Sequence, residues 1–344
     1  MVTSTLLRLG RAPAAGLALA LVAGCASTQT PRSAPHVEAT RAEVDPSKVD
    51  PPEAKQVPLV ELARAEVDTL NADLRPGPLT MDVAILIPSN LDPGFDRVSV
   101  EQLLDGIRSA KEIFAAVDVQ LALRWVKTGP LDPRYLSISY TETPKRPPAK
   151  DLAFYRRMQR YPRQLSEEAL AAFDSFVPKE PNNARTIYLV VLQDVFYPYF
   201  EATESGDFAL RITPTSGLSF PPYMLGSEIP RRLRGVIAIS NLTKGANRFK
   251  TIAHEIGHKT INVSHEYRTI APEFEVVGEG GLMIYGAGTE IPSGEEGRWH
   301  RERLERSPFL YRFDASGHRT WNADYEDGGH YFDPIYGDKV IHAQ

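Results

Sequence analysis

The run Thr251-Ile252-Ala253-His254-Glu255-Ile256-Gly257-His258 constrains this chain more than any other stretch. Two histidines four apart can meet one ion when the backbone is helical, because residues four apart share a helix face. Ile252, Ala253 and Ile256 are apolar and Gly257 is small, where a solvated helix would carry charges. The chain must therefore build a helix buried on one side and open to a cleft on the other. In such a His-Glu-x-x-His pattern, His254 and His258 are suited to bind Zn2+, while Glu255 reaches the water beside it rather than the metal. A catalytic zinc takes three protein ligands, so the third has to come from elsewhere in the chain. The bland alternative is a solvated helix face that happens to carry two histidines, and the apolar flanks weigh against it.

The rest of the composition narrows the options. With 344 residues, a net charge of −5 and 24% charged residues, the chain is ordinary globular material without a basic patch, so no nucleic acid is expected as a partner. Cys25 is the only cysteine, which excludes an internal disulfide and a cysteine-ligated zinc site. Residues 1–24 read as a signal peptide, with Arg8 and Arg11 before an apolar stretch from Ala14 to Ala23 that is too short to span a bilayer as a helix. The ending Val22-Ala23-Gly24-Cys25 resembles the lipobox of bacterial lipoproteins, and that resemblance implies lipidation of Cys25 and a membrane anchor in the cell envelope. Ala26 after the cysteine fits sorting to an outer membrane, on its periplasmic or surface side. The alternative is a plain secretory signal. Residues 25–79, rich in Pro, Ser, Thr and charge, read as a tether, with a short amphipathic helix or stalk conceivable over Val57 to Leu74. The folded domain is expected over residues 80–344.

Within it, Thr80 to Pro88 is an apolar, β-branched run that reads as a buried strand. Ser99 and Gln102 form a capping box for a helix whose apolar residues recur from Val100 to Val117, and a strand follows at Val119 to Val126. Strand, helix and strand at these lengths predict a βαβ unit. Thr186 to Val195 reads as one central strand, Ala209 to Phe220 as an edge strand and Arg234 to Ser240 as another buried strand leading to the His-Glu-x-x-His helix, for which Asn247 is the candidate N-cap. The fold class expected is α/β (α+β): a mixed, mostly parallel twisted sheet backed by helices (residues 80–265), with a smaller, mostly helical and irregular C-terminal part (266–344). A helix is expected from Glu295 to Ser307. The arginines at 156, 157, 160 and 163 read as a solvated face, the acidic and aromatic tail from Trp321 to Tyr336 as a packed surface turn, and His300, His318, His330 and His342 as surface or cap residues.

Two further stretches, Lys259-Thr-Ile-Asn-Val-Ser-His265 and Gly278-Glu-Gly-Gly-Leu-Met283-Ile-Tyr285, make the chain resemble the metzincin metallopeptidases. That family carries His-Glu-x-x-His-x-x-Gly-x-x-His and a later turn with Met and often a Tyr two residues on. The resemblance implies His265 as third zinc ligand, Met283 as an apolar floor below the metal, and Tyr285 as a ligand at rest and hydrogen-bond donor to the oxyanion. The match departs from the family in two respects: six residues separate His258 from His265 instead of five, and Ile261 stands where the glycine belongs. If Asn262 makes the turn, the step from Asn262 to His265 equals the family's Gly-x-x-His step, since asparagine tolerates the left-handed conformation. A competing third ligand is Glu279, placed roughly as in the gluzincin peptidases, but Gly278, Gly280 and Gly281 around it make poor helix. The function implied is a zinc-dependent metalloendopeptidase acting on peptide or protein substrates, with Glu255 as general base and the substrate strand along Ala209 to Phe220. The alternative is a zinc-bearing envelope lipoprotein that binds a protein or polysaccharide partner without hydrolysing it.

Overall fold

The computed structural model describes residues 57–92, 98–144, 146, 164–180, 183–205, 207–222, 229–242, 248–263, 281–283, 289–294 and 297–323. A short strand β1 (Val60–Leu62) and helix α1 (Arg64–Leu70) open it, followed by β2 (Leu79–Pro88), α2 (Val100–Ala115) and β3 (Val119–Gly129). Ser99 caps α2 as the sequence predicts: its hydroxyl accepts from the Gln102 amide at 3.1 Å and the Gln102 side chain accepts from the Ser99 amide at 2.9 Å. The apolar stripe of that helix, including Leu103, Ile107, Ala110 and Phe114, is buried. Next come β4 (Ser137–Ser139) and α3 (Glu167–Phe176), the latter capped by Ser166. The chain then runs through β5 (Thr186–Val191), β6 (Asp194–Ala202), β7 (Phe208–Pro214), β8 (Gly217–Leu218) and β9 (Val236–Ile239). Helix α4 (Arg248–Thr260) carries the His-Glu-x-x-His motif, and α5 (Arg298–Arg306) precedes the hairpin of β10 (Leu310–Phe313) and β11 (Arg319–Trp321).

The architecture is mixed α/β. The main sheet has the order β1-β3-β2-β5-β9-β8, in which β3, β2, β5 and β9 are mutually parallel and β1 and β8 are antiparallel edges. The expected βαβ unit is present as β2-α2-β3. Strands β2, β5 and β9 are buried almost throughout, as their near-continuous apolar sequences require of strands covered on both faces. Helix α4 packs against α2 so closely that a Cβ on Gly106 would lie 2.5 Å from Ile252 Cδ1. Ile252, Ala253 and Ile256 are fully buried there, and each isoleucine contributes about 1.5–3 kcal/mol by leaving water. This packing sets the motif helix on the sheet beside the edge strand β8.

Several expectations are corrected. The apolar run from Thr186 to Val195 is not one strand: Leu192 N–H still bonds the Ile239 carbonyl of the main sheet, whereas Gln193 N–H bonds the Leu136 carbonyl, and from Asp194 the chain belongs to a second sheet, β4-β6-β7. The stretch from Ala209 to Phe220 is likewise divided between β7 of the small sheet and β8 of the main one. Ordered packing reaches upstream of Thr80, because β1 pairs with β3 and Val67 and Leu70 of α1 join the core. The C-terminal part adds strands as well as a helix, since β10 pairs antiparallel with β2. His300 is fully buried rather than a surface residue, while His318 is exposed. The expected Asn247 cap, the arginines from 156 to 163, His330, His342 and most of the tail from Trp321 to Tyr336 lie outside the described residues.

Candidate metal centre

Helix α4 presents His254 and His258 on one face, their ring centroids 4.7 Å apart and their planes nearly perpendicular. Each ring is oriented through Nδ1 by a backbone carbonyl: Leu282 O lies 2.7 Å from His254 Nδ1, and Val263 O lies 2.7 Å from His258 Nδ1. Donation from Nδ1 makes Nε2 the basic nitrogen of each neutral imidazole, which is the arrangement that ligating histidines show. Burial lowers the pKa of His254 below the usual imidazole value, opposed by the Leu282 carbonyl, so the ring favours its neutral, ligating form.

Glu255 completes the group. One ligand atom from each of His254, Glu255 and His258 falls within 4.8 Å of the others, and among the described residues this is the only group of three or more potential metal ligands. The Glu255 side chain is buried, and its Oε2 has no hydrogen-bond partner among the described residues. An orphaned carboxylate oxygen beside two basic imidazole nitrogens fits a divalent cation with its water, because that pairing would offset the desolvation that the carboxylate otherwise bears. Burial raises the Glu255 pKa to about 7, with Ser219 and Lys259 pulling it back down. A carboxyl poised near neutrality can both accept and return a proton.

The turn after the helix is built as Asn262 suggested. The last helical residue is Thr260, and Asn262 takes φ 55, the left-handed region. Thr260 Oγ1 donates to Ile256 O and Ile261 N–H to Gly257 O, the last bonds of the helical pattern before the left-handed Asn262. Arg303 of α5 donates to the Ile261 and Asn262 carbonyls, both at 3.4 Å, placing a cation at the negative end of α4. Met283 is fully buried, and its sulfur fills the place a Cβ on Gly257 would take. The neighbour of that methionine, Leu282, is the residue that orients His254. His265, Glu279, Tyr285 and Cys25 lie outside the described residues.

Sequence reasoning missed four contributors. Gly217 in β8 approaches α4 so closely that a Cβ there would lie 2.6 Å from Thr251 Cγ2 and 3.1 Å from Glu255 Cγ. Ser219 Oγ donates to the Glu255 carbonyl at 3.0 Å. Lys259 is buried, donates from Nζ to the Phe220 carbonyl at 2.9 Å, and is pushed by burial to a pKa of about 7 against the opposing pull of Glu255. Arg303 is the fourth. For Lys259 a signal existed, since it lies one helical turn beyond Glu255 and must share its face. No family model matches the chain, and no curated protein is significantly similar to it.

Proposed function

We propose that this chain is a zinc-dependent metalloendopeptidase. The observation that carries the reading is the meeting of His254, His258 and a buried, unpartnered Glu255 Oε2 on the face of α4 that adjoins the edge strand β8. His254 and His258 would hold the metal, with His265 as the third ligand suggested by the metzincin-like spacing. Zinc, when bound, supplies Lewis acidity and a water with a pKa of about 7. Glu255 takes the proton of the attacking water and delivers it to the leaving amine, for which its buried, near-neutral carboxyl is suited. Met283 packs below the helix as a floor, and Tyr285 is assigned to the developing oxyanion. An extended substrate would add to the sheet along the edge near β8, using main-chain hydrogen bonds. The lipobox-like ending at Cys25 supports a site of action in a bacterial envelope, with the chain tethered through a lipid on Cys25 at the outer membrane.

The test is a peptide-library digest by the full chain with and without chelator, beside Glu255→Gln, His265→Ala and Cys25→Ser. Metal-dependent cleavage that Glu255→Gln abolishes while keeping about one zinc per chain is the expected outcome, zinc sites of this type holding one ion. Full cleavage by Glu255→Gln, or cleavage unaffected by removing metal, overturns the peptidase reading. Full zinc occupancy in His265→Ala returns the third-ligand role to Glu279. Unchanged membrane partitioning of Cys25→Ser overturns the anchor.

A further inference from the structure

The edge of the main sheet is held to α4 by unequal means at its two ends. Upstream, Thr215 N–H bonds the Val195 carbonyl and Ser240 N–H bonds the Ser216 carbonyl, both in the backbone. The β8 ladder to β9 consists of Gly217 opposite Ile239 and Leu218 opposite Ala238, and it ends there. Ser219 and Phe220 therefore continue along the helix without sheet partners from β9. A stripe of α4 receives them, formed by Thr251, Glu255 and Lys259, each one turn apart. Thr251 and Glu255 meet Gly217, the Glu255 carbonyl accepts from Ser219, and the Phe220 carbonyl accepts from Lys259 Nζ at 2.9 Å. The Phe220 ring is packed between Tyr140 and Tyr197, with centroids at 5.6 and 6.0 Å, which fixes the side chain but leaves the direction of the carbonyl to Lys259.

We propose that Lys259 is a positioning residue that pins the Phe220 carbonyl and so holds the edge Gly217–Phe220 against the helix turn carrying Glu255. A buried lysine whose Nζ has, among the described residues, one backbone acceptor and no carboxylate at ion-pair distance is costly to retain for stability alone, because its desolvation is only partly offset. Its placement is explained when the edge beside Glu255 must present a fixed backbone to an extended chain. The kinetic consequence rests on the peptidase reading, whereas the structural consequence does not.

The experiment replaces Lys259 by Met, which keeps the length and apolar stem and removes the donor, with Lys259→Gln as a shorter neutral donor. Hydrogen exchange of the full chain is read over residues 215–222 and over α4. Faster exchange confined to 215–222 in Lys259→Met, with intermediate exchange in Lys259→Gln, is expected. Unchanged exchange there, or an equal rise throughout α4, overturns the proposal. On the best peptide from the library digest, KM should rise roughly tenfold with kcat nearly unchanged, the scale of losing one hydrogen bond from a charged donor. A fall in kcat alone, with KM and edge exchange unaltered, also overturns it. If no peptide is cleaved, the exchange result still decides the positioning role while the peptidase reading falls separately.

Discussion

At the residue scale, the site is governed by groups that burial holds away from their usual behaviour. In the metal-free protein Glu255 has its pKa raised from an ordinary 4.5 to about 7 by burial. A carboxyl with a raised folded pKa is destabilising wherever the unfolded chain has already ionised it, so its contribution worsens as pH rises from 4.5 to about 7. Glu255→Gln removes that penalty. Its stability advantage over the parent protein, both without metal, should be absent near pH 4 and grow to a plateau above about pH 7, read as the difference in denaturation midpoint across pH. A pH-independent difference would show that Glu255 is not buried as a charge. Asn262 offers a second residue-scale test. Its φ of 55 costs an alanine about 1 kcal/mol, while glycine adopts it freely. Both Asn262→Ala and Asn262→Gly lose the side chain, so their difference isolates the backbone, and alanine should be the less stable by about that 1 kcal/mol. Equal stabilities would remove the left-handed turn from the account of how α4 ends.

At the element scale, Gly235, just before β9, marks a place where two parallel strands approach too closely for a side chain. A Cβ there would press on the Thr186 carbonyl and sit 3.2 Å from Ile187 Cα, both backbone atoms of β5 or its start. Because Tyr188 N–H bonds the Gly235 carbonyl at 3.0 Å, the strands cannot part without breaking their ladder. Gly235→Ala should therefore cost about 1–3 kcal/mol, as overpacking does, and urea denaturation measures it; a loss under 0.5 kcal/mol, the scale of neutral surface changes, would contradict this packing. Elements with a strong period were readable in the sequence. The β2-α2-β3 unit was legible because its helix has an apolar stripe and a capping box, and its strands lie between prolines and polar loops. The break between β5 and β6 was not, because Leu192 and Val195 look alike in sequence while serving different sheets. Two-residue β8 leaves too short a pattern to detect, although it borders Glu255. The motif helix was legible through its histidine spacing, yet its support by Ser219, Arg303 and the Leu282 carbonyl was not, since those contacts depend on which distant segments the sheet brings together.

At the scale of the whole molecule, the two ends of the described chain share one buried charge. Asp82 of β2 is almost fully buried; it accepts from Tyr311 Oη at 2.8 Å and from Arg319 at 2.6 Å, while Arg124 Nε stands 3.9 Å away. Arg124 reaches it from β3, where a register shift opposite Val83 and Ala84 sets an extra residue into the strand. Tyr311 and Arg319 come from the terminal hairpin, whose strand β10 continues the sheet beside Thr80 and Met81. Asp82 is buried whereas both arginines keep partial contact with water, so the two cations are alternative partners for a carboxylate that cannot be left alone. Arg319→Met and Arg124→Met should each destabilise by about 1–2 kcal/mol, because one cation remains. The double variant should lose more than the sum, with a coupling of about 1 kcal/mol or more, since Asp82 then keeps only the tyrosine. Thermal unfolding of the four proteins closes the cycle, and a single transition in each is expected if residues 57–323 unfold as one unit. Additive losses, or a separate early transition that Arg319→Met alone lowers, would mean that the C-terminal hairpin is an appendage and that the core behind the candidate metal centre stands without it.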